Sequence, residues 1–402
     1  MNRQKSPPRN TQGLPRGEVF GHGHRIESVL GQGGFGITYK AFNPEGQPVA
    51  IKEYLPEGLV SRNGKHLVPL PGKEADHASG LKYFKEEAET LRRLPSHPNI
   101  VGVRALFEKN RTAYMVMDFI DGQPMSNLLG RGHQYNSTDL TNLLGKLTMA
   151  LGHLHDQEVL HLDIKPQNIM IRKGNDEPVL IDFGAARNFS QAGEQIEVLT
   201  EGYAPIELLD SSLGNRGPWS DFYSLGVVGY IAATGNKPPS ALNRVKAIQK
   251  TGRDPLRPCL QARRSMISNN LATVIDHCLN IVPNDRPLSA RDLASLLRTG
   301  KSQRLLAKRY GPPKPVGMEQ ITRSVKIVHL VSLPTPPPPK PRPPVRPRDP
   351  SAPAGGDPIH AVPVSPKPQR TRPSVDWALV LLSLVAFSLI VVIGFALSSF
   401  SD

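Results

Sequence analysis

Between Leu160 and Gly184 the chain reads His161-Leu162-Asp163-Ile164-Lys165-Pro166-Gln167-Asn168 and, after a short gap, Leu180-Ile181-Asp182-Phe183-Gly184. These strings place Asp163, Lys165 and Asn168 on one loop and Asp182 on a second loop just downstream. Phosphoryl transfer from a nucleotide asks little covalent chemistry of a protein. It needs a carboxylate to orient and deprotonate the attacking hydroxyl, a cation on the moving phosphate, and oxygen ligands for magnesium. Asp163, Lys165 and the pair Asn168 and Asp182 supply these in order. One aspartate near one asparagine is usually a turn, but the whole string is far too specific for that.

The motif makes a demand upstream: a glycine-rich turn over the phosphates, a strand lysine, and a helix glutamate. Gly31-Gln32-Gly33-Gly34-Phe35-Gly36 follows Val29-Leu30 and runs into Ile37-Thr38-Tyr39. Glycines let the backbone approach phosphates with no Cβ in the way. A dinucleotide-binding turn would want a helix directly after the last glycine. The β-branched and aromatic run predicts a strand there, and so a hairpin. Lys52 closes the apolar run Val49-Ala50-Ile51, which predicts another strand. Phe84, Ala88, Leu91 and Leu94 recur at helical spacing between Gly80 and Pro95. Glu87 adjoins that stripe, whereas Glu86 and Glu89 fall on the expected solvated face.

With these motifs in this order, the chain resembles the eukaryotic-like (Hanks-type) serine/threonine protein kinases of bacteria over roughly residues 18–300. The resemblance implies an α+β, bilobal fold: a β-rich small lobe at about 18–118 and a mainly helical large lobe at about 119–300. It implies ATP and Mg2+ as cofactors, with Mn2+ able to substitute, and protein substrates bearing Ser or Thr acceptors. Lys52 would grip the α- and β-phosphates and pair with Glu87. Met117-Asp118-Phe119-Ile120 resembles the hinge that meets adenine through backbone groups at Asp118 and Ile120. Gly202-Tyr203-Ala204-Pro205-Ile206-Glu207 resembles the end of the activation segment, with Glu207 paired to Arg286. Asp221 resembles the helix aspartate that holds the catalytic loop from beneath. Lys165, two places after Asp163, and Thr200 are similar to the serine/threonine class.

Two departures stand out. Leu162 occupies the place of the usual arginine, which normally pairs with a phosphorylated activation segment, so activation by that route is not expected. Residues 53–80 form a long connection rich in proline, glycine and charge, which we expect to be an insertion at the edge of the small lobe.

The formal charge of +14 would ordinarily raise nucleic-acid binding, but its distribution argues otherwise. Residues 18–300 hold 31 Lys or Arg against 30 Asp or Glu, while the remaining segments hold 18 against 5. The excess sits on the arms, as expected near an anionic membrane surface, and no nucleic-acid motif accompanies it. Cys259 and Cys278 show no CxxC or Cys/His clustering, so neither a disulfide nor a zinc site is expected.

Residues 1–17 read as a basic, disordered arm and 301–333 as a connecting segment. Residues 334–373 carry 16 prolines in 40 positions, a composition that prefers extended polyproline II to a packed core. From Trp377 to Leu397 run 21 residues without a charge, long enough as a helix to span roughly 30 Å of hydrocarbon. We expect a transmembrane helix over 376–398 with a short tail at 399–402. Lys367, Arg370 and Arg372 precede it and no positive charge follows, which puts the catalytic domain on the cytoplasmic side of the inner membrane. A homodimer is compatible with the sequence. The rival functions are a pseudokinase scaffold and a kinase for small molecules or lipids.

Overall fold

The computed structural model describes residues 13–184, 186–188, 200, 202–210 and 214–298. The basic arm up to residue 12, Ser190 of the activation segment, the connecting segment, the proline-rich stretch, the 376–398 helix and the tail all lie outside the described residues. Among the described residues no helix is long and apolar enough to cross a membrane.

The small lobe is built on one antiparallel sheet. Its strands are β1 (Val19–Phe20), β2 (His24–Gly33), β3 (Gly36–Phe42), β4 (Pro48–Tyr54), β7 (Val103–Lys109) and β8 (Thr112–Asp118), in the order β1-β2-β3-β4-β8-β7. Strands β2 and β3 close as a hairpin on Gly33 and Gly36, so the glycine run is a strand–turn–strand and not a helix start. Period-two alternation sorts β4 onto two faces. Val49 and Ile51 join Ile37, Tyr39, Ala41, Tyr114 and Val116 in the core of one face. Ala50 and Tyr54 face α1 (Glu74–Arg93), whose buried stripe is His77, Phe84, Ala88 and Leu91.

The connection after β4 departs from the expected edge insertion in two ways. Its last residues already belong to α1, which begins six residues before Gly80. The rest forms a second hairpin, β5 (Val60–Asn63) and β6 (His66–Pro69), that covers a face of the sheet and not its edge. Val60 and Leu67 enter the core there. One buried residue per strand is too weak a period to read from the sequence.

A buried polar knot fixes this hairpin. The Glu53 carboxylate, fully buried, accepts from Tyr39 Oη at 2.6 Å, Tyr114 Oη at 2.8 Å and Arg62 Nη2 at 2.6 Å. Leu14 N in turn donates to Tyr39 Oη at 3.0 Å. Burial and the adjoining carboxylate push both phenols well above their ordinary pKa, so they stay protonated donors.

The large lobe follows with β9 (Gly122–Pro124), α2 (Met125–Gly130), α3 (Ser137–His155), β10 (Val159–Leu160), β11 (Ile169–Arg172) and β12 (Pro178–Leu180), with β13 (Arg187–Asn188) pairing β10. Helices α4 (Ile206–Leu209), α5 (Pro218–Thr234), α6 (Ala241–Thr251), α7 (Cys259–Ala262), α8 (Asn269–Cys278) and α9 (Ala290–Arg298) complete it. Helix α5 is apolar nearly all round and buried along its length, the pattern of a core helix. It packs on α3 and α8. Glu207 and Arg286 form a bidentate pair, both fully buried, at 2.7 and 3.1 Å. Ser220 Oγ donates to the same carboxylate at 2.8 Å. Cys259 and Cys278 are free and buried.

Arg62→Ala leaves the Glu53 carboxylate buried with no cation. Denaturant unfolding should show a loss of about 3–5 kcal/mol, the scale for breaking a buried pair from one side. The double variant E53Q/R62M should recover much of it.

Candidate active site

The two motif loops are brought together by the β11–β12 hairpin. Ile169 pairs with Leu180, so Asn168 and Asp182 stand just beyond neighbouring strand ends, and Ile181 N donates to Asn168 O at 2.9 Å. Both loops contain a residue in the left-handed region, Leu162 at φ 60° and Asp182 at φ 61°, where a non-glycine residue is strained. Such a loop persists only when its surroundings over-determine it. Asp221, on the first turns of α5 and fully buried, does this for Leu162. Its carboxylate accepts from His161 N at 3.0 Å and Leu162 N at 2.8 Å. His155 Nε2 lies 2.8 Å from the same carboxylate. Burial pushes the Asp221 carboxyl up, but the hydrogen bonds from His155 and the His161 backbone hold it below the usual range. His161 is itself buried against the Phe183 ring at 4.6 Å, and that burial lowers its pKa. It is a packed ring and not a ligand.

On the loop so held, Asp163 is the convergence point. Lys165 Nζ donates to Oδ2 at 2.7 Å, Asn168 Nδ2 to Oδ2 at 2.8 Å and to the backbone oxygen at 2.9 Å, and Thr200 Oγ1 to Oδ1 at 2.7 Å. Lys165 also reaches Thr200 Oγ1 at 2.8 Å. The partners of Asn168 on Asp163 are acceptors only, so its amide nitrogen must face them and Oδ1 is the atom left to meet a cation.

Across the cleft, Lys52 Nζ donates to Asp182 Oδ1 at 2.6 Å and stands 3.8 Å from Glu87 Oε1. Glu87, and neither Glu86 nor Glu89, is the α1 carboxylate facing it: Glu86 pairs with Lys82 and Glu89 with Arg92 on the outer face. Burial pushes the Lys52 ammonium down, and the charges of Asp182 and Glu87 outweigh that and hold it above its ordinary value. The Lys52 charge in turn lowers Asp182 to about 2.

Asn168 and Asp182 suit a hard cation. Mg2+ takes oxygen ligands and is commonly held by one or two carboxylates together with substrate phosphates. Among the described residues no cluster of three or more His, Cys, Asp or Glu could hold a metal by itself. The glycine turn fits the same ligand. A Cβ added at Gly31, Gly33 or Gly34 would meet nothing within 4 Å, whereas one at Gly36 would lie 2.1 Å from Glu53 O. The first three leave an open roof, and the last allows two strands to close on each other. Gln32 is the penultimate residue of β2 and Phe35 is half exposed at the turn. Met117 and Ile120 are buried at the hinge. The Asp118 side chain turns outward to Arg104, at 2.6 Å, while Asp118 N donates to Gly102 O.

Leu162 does more than omit a charge. It is buried with Leu160, Ala204 and Leu208, so an apolar contact joins the catalytic loop to the end of the activation segment. His155 and Glu53 were not legible as site supports. Neither sits in a local motif, and their partners lie 66 and up to 61 residues away.

Comparison with known proteins points to one family. The family model described as "Protein kinase domain" matches residues 24–296. Serine/threonine-protein kinase C of Synechocystis sp. is 28% identical over 290 residues, which are 70% of this chain and 50% of that protein. Serine/threonine-protein kinase PkaA of Streptomyces coelicolor is 30% identical over 69% of this chain and 50% of its own length. The chain thus spans about half the length of these curated relatives. The solved structure titled "PpkA-294 apo form" is 33% identical, with a TM-score of 0.63 over 72% of this chain and all of that one.

Asp221→Ala removes both acceptors that hold Leu162 at positive φ. Turnover should fall on the order of a hundredfold through misplacement of the loop, with ATP affinity changing far less. Steady-state rates beside a nucleotide-binding titration check this.

Proposed function

The chain belongs to the protein kinase family, and we propose that it is a membrane-anchored serine/threonine protein kinase that uses ATP and Mg2+ to phosphorylate Ser or Thr hydroxyls of proteins. The observation that carries this reading is the Asp163 carboxylate held by Lys165, Asn168 and Thr200. A carboxylate restrained on both oxygens is a directed base: it can receive a hydroxyl proton only along the line left open to it. Bound ATP supplies the phosphoryl group, and its Mg2+ neutralises the charge that develops on it. Asp163 orients the acceptor hydroxyl and takes its proton. Lys165, between Asp163 and Thr200, sets a positive charge beside the reacting oxygen. Lys52 binds the α- and β-phosphates while Glu87 holds its position. Asn168 Oδ1 and Asp182 are the cation's protein ligands, and backbone groups at Asp118 and Ile120 receive the adenine. The lysine and threonine wall suits a short acceptor side chain, which supports Ser and Thr over Tyr.

Anchoring rests on the uncharged 377–397 stretch and the cations before it. The proline-rich segment, if fully extended, would reach on the order of 120 Å at about 3.1 Å per residue. It would confine the catalytic domain near the inner membrane and raise its local concentration toward membrane-associated targets.

The purified full chain, given labelled ATP, Mg2+ and a generic protein substrate, should yield phosphoserine or phosphothreonine on phospho-amino-acid analysis; mainly phosphotyrosine would overturn the assignment. In the same assay Asp163→Asn should lower turnover by about 10²–10⁴-fold with nearly unchanged ATP binding.

Fractionation should find the full chain with membranes. Removing residues 376–402 should release it, leave the rate on a soluble peptide unchanged, and reduce phosphorylation of membrane-associated proteins.

A further inference from the structure

Charge is balanced over the catalytic domain as a whole, but not locally. Between residues 237 and 264 eight Lys or Arg stand against one acid, Asp254. That acid is committed to Arg244, which is buried and bonds it at 2.7–3.3 Å through Nε and Nη2. Of the other seven, Lys237, Lys246, Lys250, Arg253 and Arg257 are exposed, and Arg263 and Arg264 are half-buried.

This basic surface starts at the acceptor site. Tyr203 N donates to Thr200 O at 3.2 Å, so the backbone at 202–203 continues the wall that Thr200 forms beside Asp163. The Lys237 ammonium lies over the Tyr203 ring, 4.4 Å from its centroid, a cation–π arrangement. Gly202, at φ 86°, makes room for it: a Cβ there would fall 2.6–2.7 Å from Lys237 Cε and Nζ. Arg264 extends the same edge. Its N donates to Ala233 O at 3.0 Å, and its Nη2 lies 2.5 Å from where a Cβ on Gly235 would stand, two residues before Lys237. Helix α6, carrying Lys246 and Lys250, follows directly and packs beside α4.

We propose that Lys237 and Arg264 form a subsite for acidic side chains flanking the phosphorylated Ser or Thr, with the α6 cations extending it along an acidic substrate segment. The proposal rests on the protein-kinase reading of the site. A row of cations on an otherwise charge-balanced catalytic domain adds encounter rate and discrimination more than raw affinity, and its effect falls with salt. Continuity with Thr200 favours a peptide over a lipid surface, because the end of the row nearest Asp163 lies on the wall of the acceptor site.

The test is a positional series of soluble Ser/Thr peptides in which each flanking residue is Asp, Glu, Ala or Lys, assayed with the full chain. Within each enzyme the readout is the ratio of kcat/KM for the acidic peptide to that for its alanine counterpart. For wild type it should reach about five- to tenfold at one or more flanking positions, enter mainly through KM, and shrink as salt rises. Lys237→Gln and Arg264→Gln should each bring it toward one, and Lys237→Glu should invert it in favour of Lys peptides. A wild-type ratio near one, or a ratio unaltered by all three substitutions, overturns the subsite. If the ratio is near one and K246E/K250E instead weakens full-chain binding to phosphatidylglycerol vesicles, the surface belongs to lipid and the proposal falls. Failure to phosphorylate any peptide or protein would count against the kinase reading itself, a distinct outcome.

Discussion

Lys52 joins three elements by ion pairs at the cleft. It sits on β4 of the small lobe, its nearest carboxylate is Asp182 of the large lobe, and the second is Glu87 of α1. A lysine between two carboxylates is held where neither pair alone could hold it, because turning toward one lengthens the other. The distances show that balance tilted, 2.6 Å to Asp182 and 3.8 Å to Glu87. The Lys52 and Glu87 side chains are mostly buried, so water screens that pair little, while Asp182 keeps one side open to the cleft. Lobe spacing, α1 placement and the position of Asp182 therefore depend on one ammonium group.

The strand that carries Lys52 is fixed from its other face as well. Glu53, the next residue, points away from the cleft and takes three donors, one of them from the β5–β6 hairpin. The insertion is thus part of the mechanism's support and not an appendage. At the other end of the site, Leu162 gives the catalytic loop an apolar seat on Ala204 and Leu208. Where an arginine would need a phosphate to complete its contact, a leucine needs only burial, which the fold already provides.

The motif residues were legible as one cluster because residue type and spacing in a short motif are read locally. Asp163, Lys165, Asn168 and Asp182 announce themselves within 20 positions, and helical periodicity was enough to single out Glu87 from its neighbours. The hairpin fold of the glycine run was legible from the β-branched residues after it. What could not be read was long-range. Nothing near His155 indicates a carboxylate partner, since Asp221 lies 66 residues away and meets it only when the helices pack; Arg62 has Glu53 nine residues before it, but no periodicity shows that both turn inward. The length of α1 was underestimated because its first two turns are polar and bury little besides His77, leaving periodicity with nothing to detect. Lys237 carries no local signal either, because Tyr203 and Gly202, which lie against it, are more than thirty residues upstream.

The glycine turn divides unevenly between two duties, and genetics would separate them. Gly31, Gly33 and Gly34 have open space where a side chain would begin, while Gly36 has the β4 backbone there. One kind of substitution, glycine to alanine, therefore yields two phenotypes within six residues. At the first three it crowds the roof of the nucleotide cleft in a protein that still folds and accumulates. At Gly36 it forces two hydrogen-bonded strands apart and is read as loss of the protein itself. An allelic series along this turn would sort binding defects from folding defects without any structural measurement.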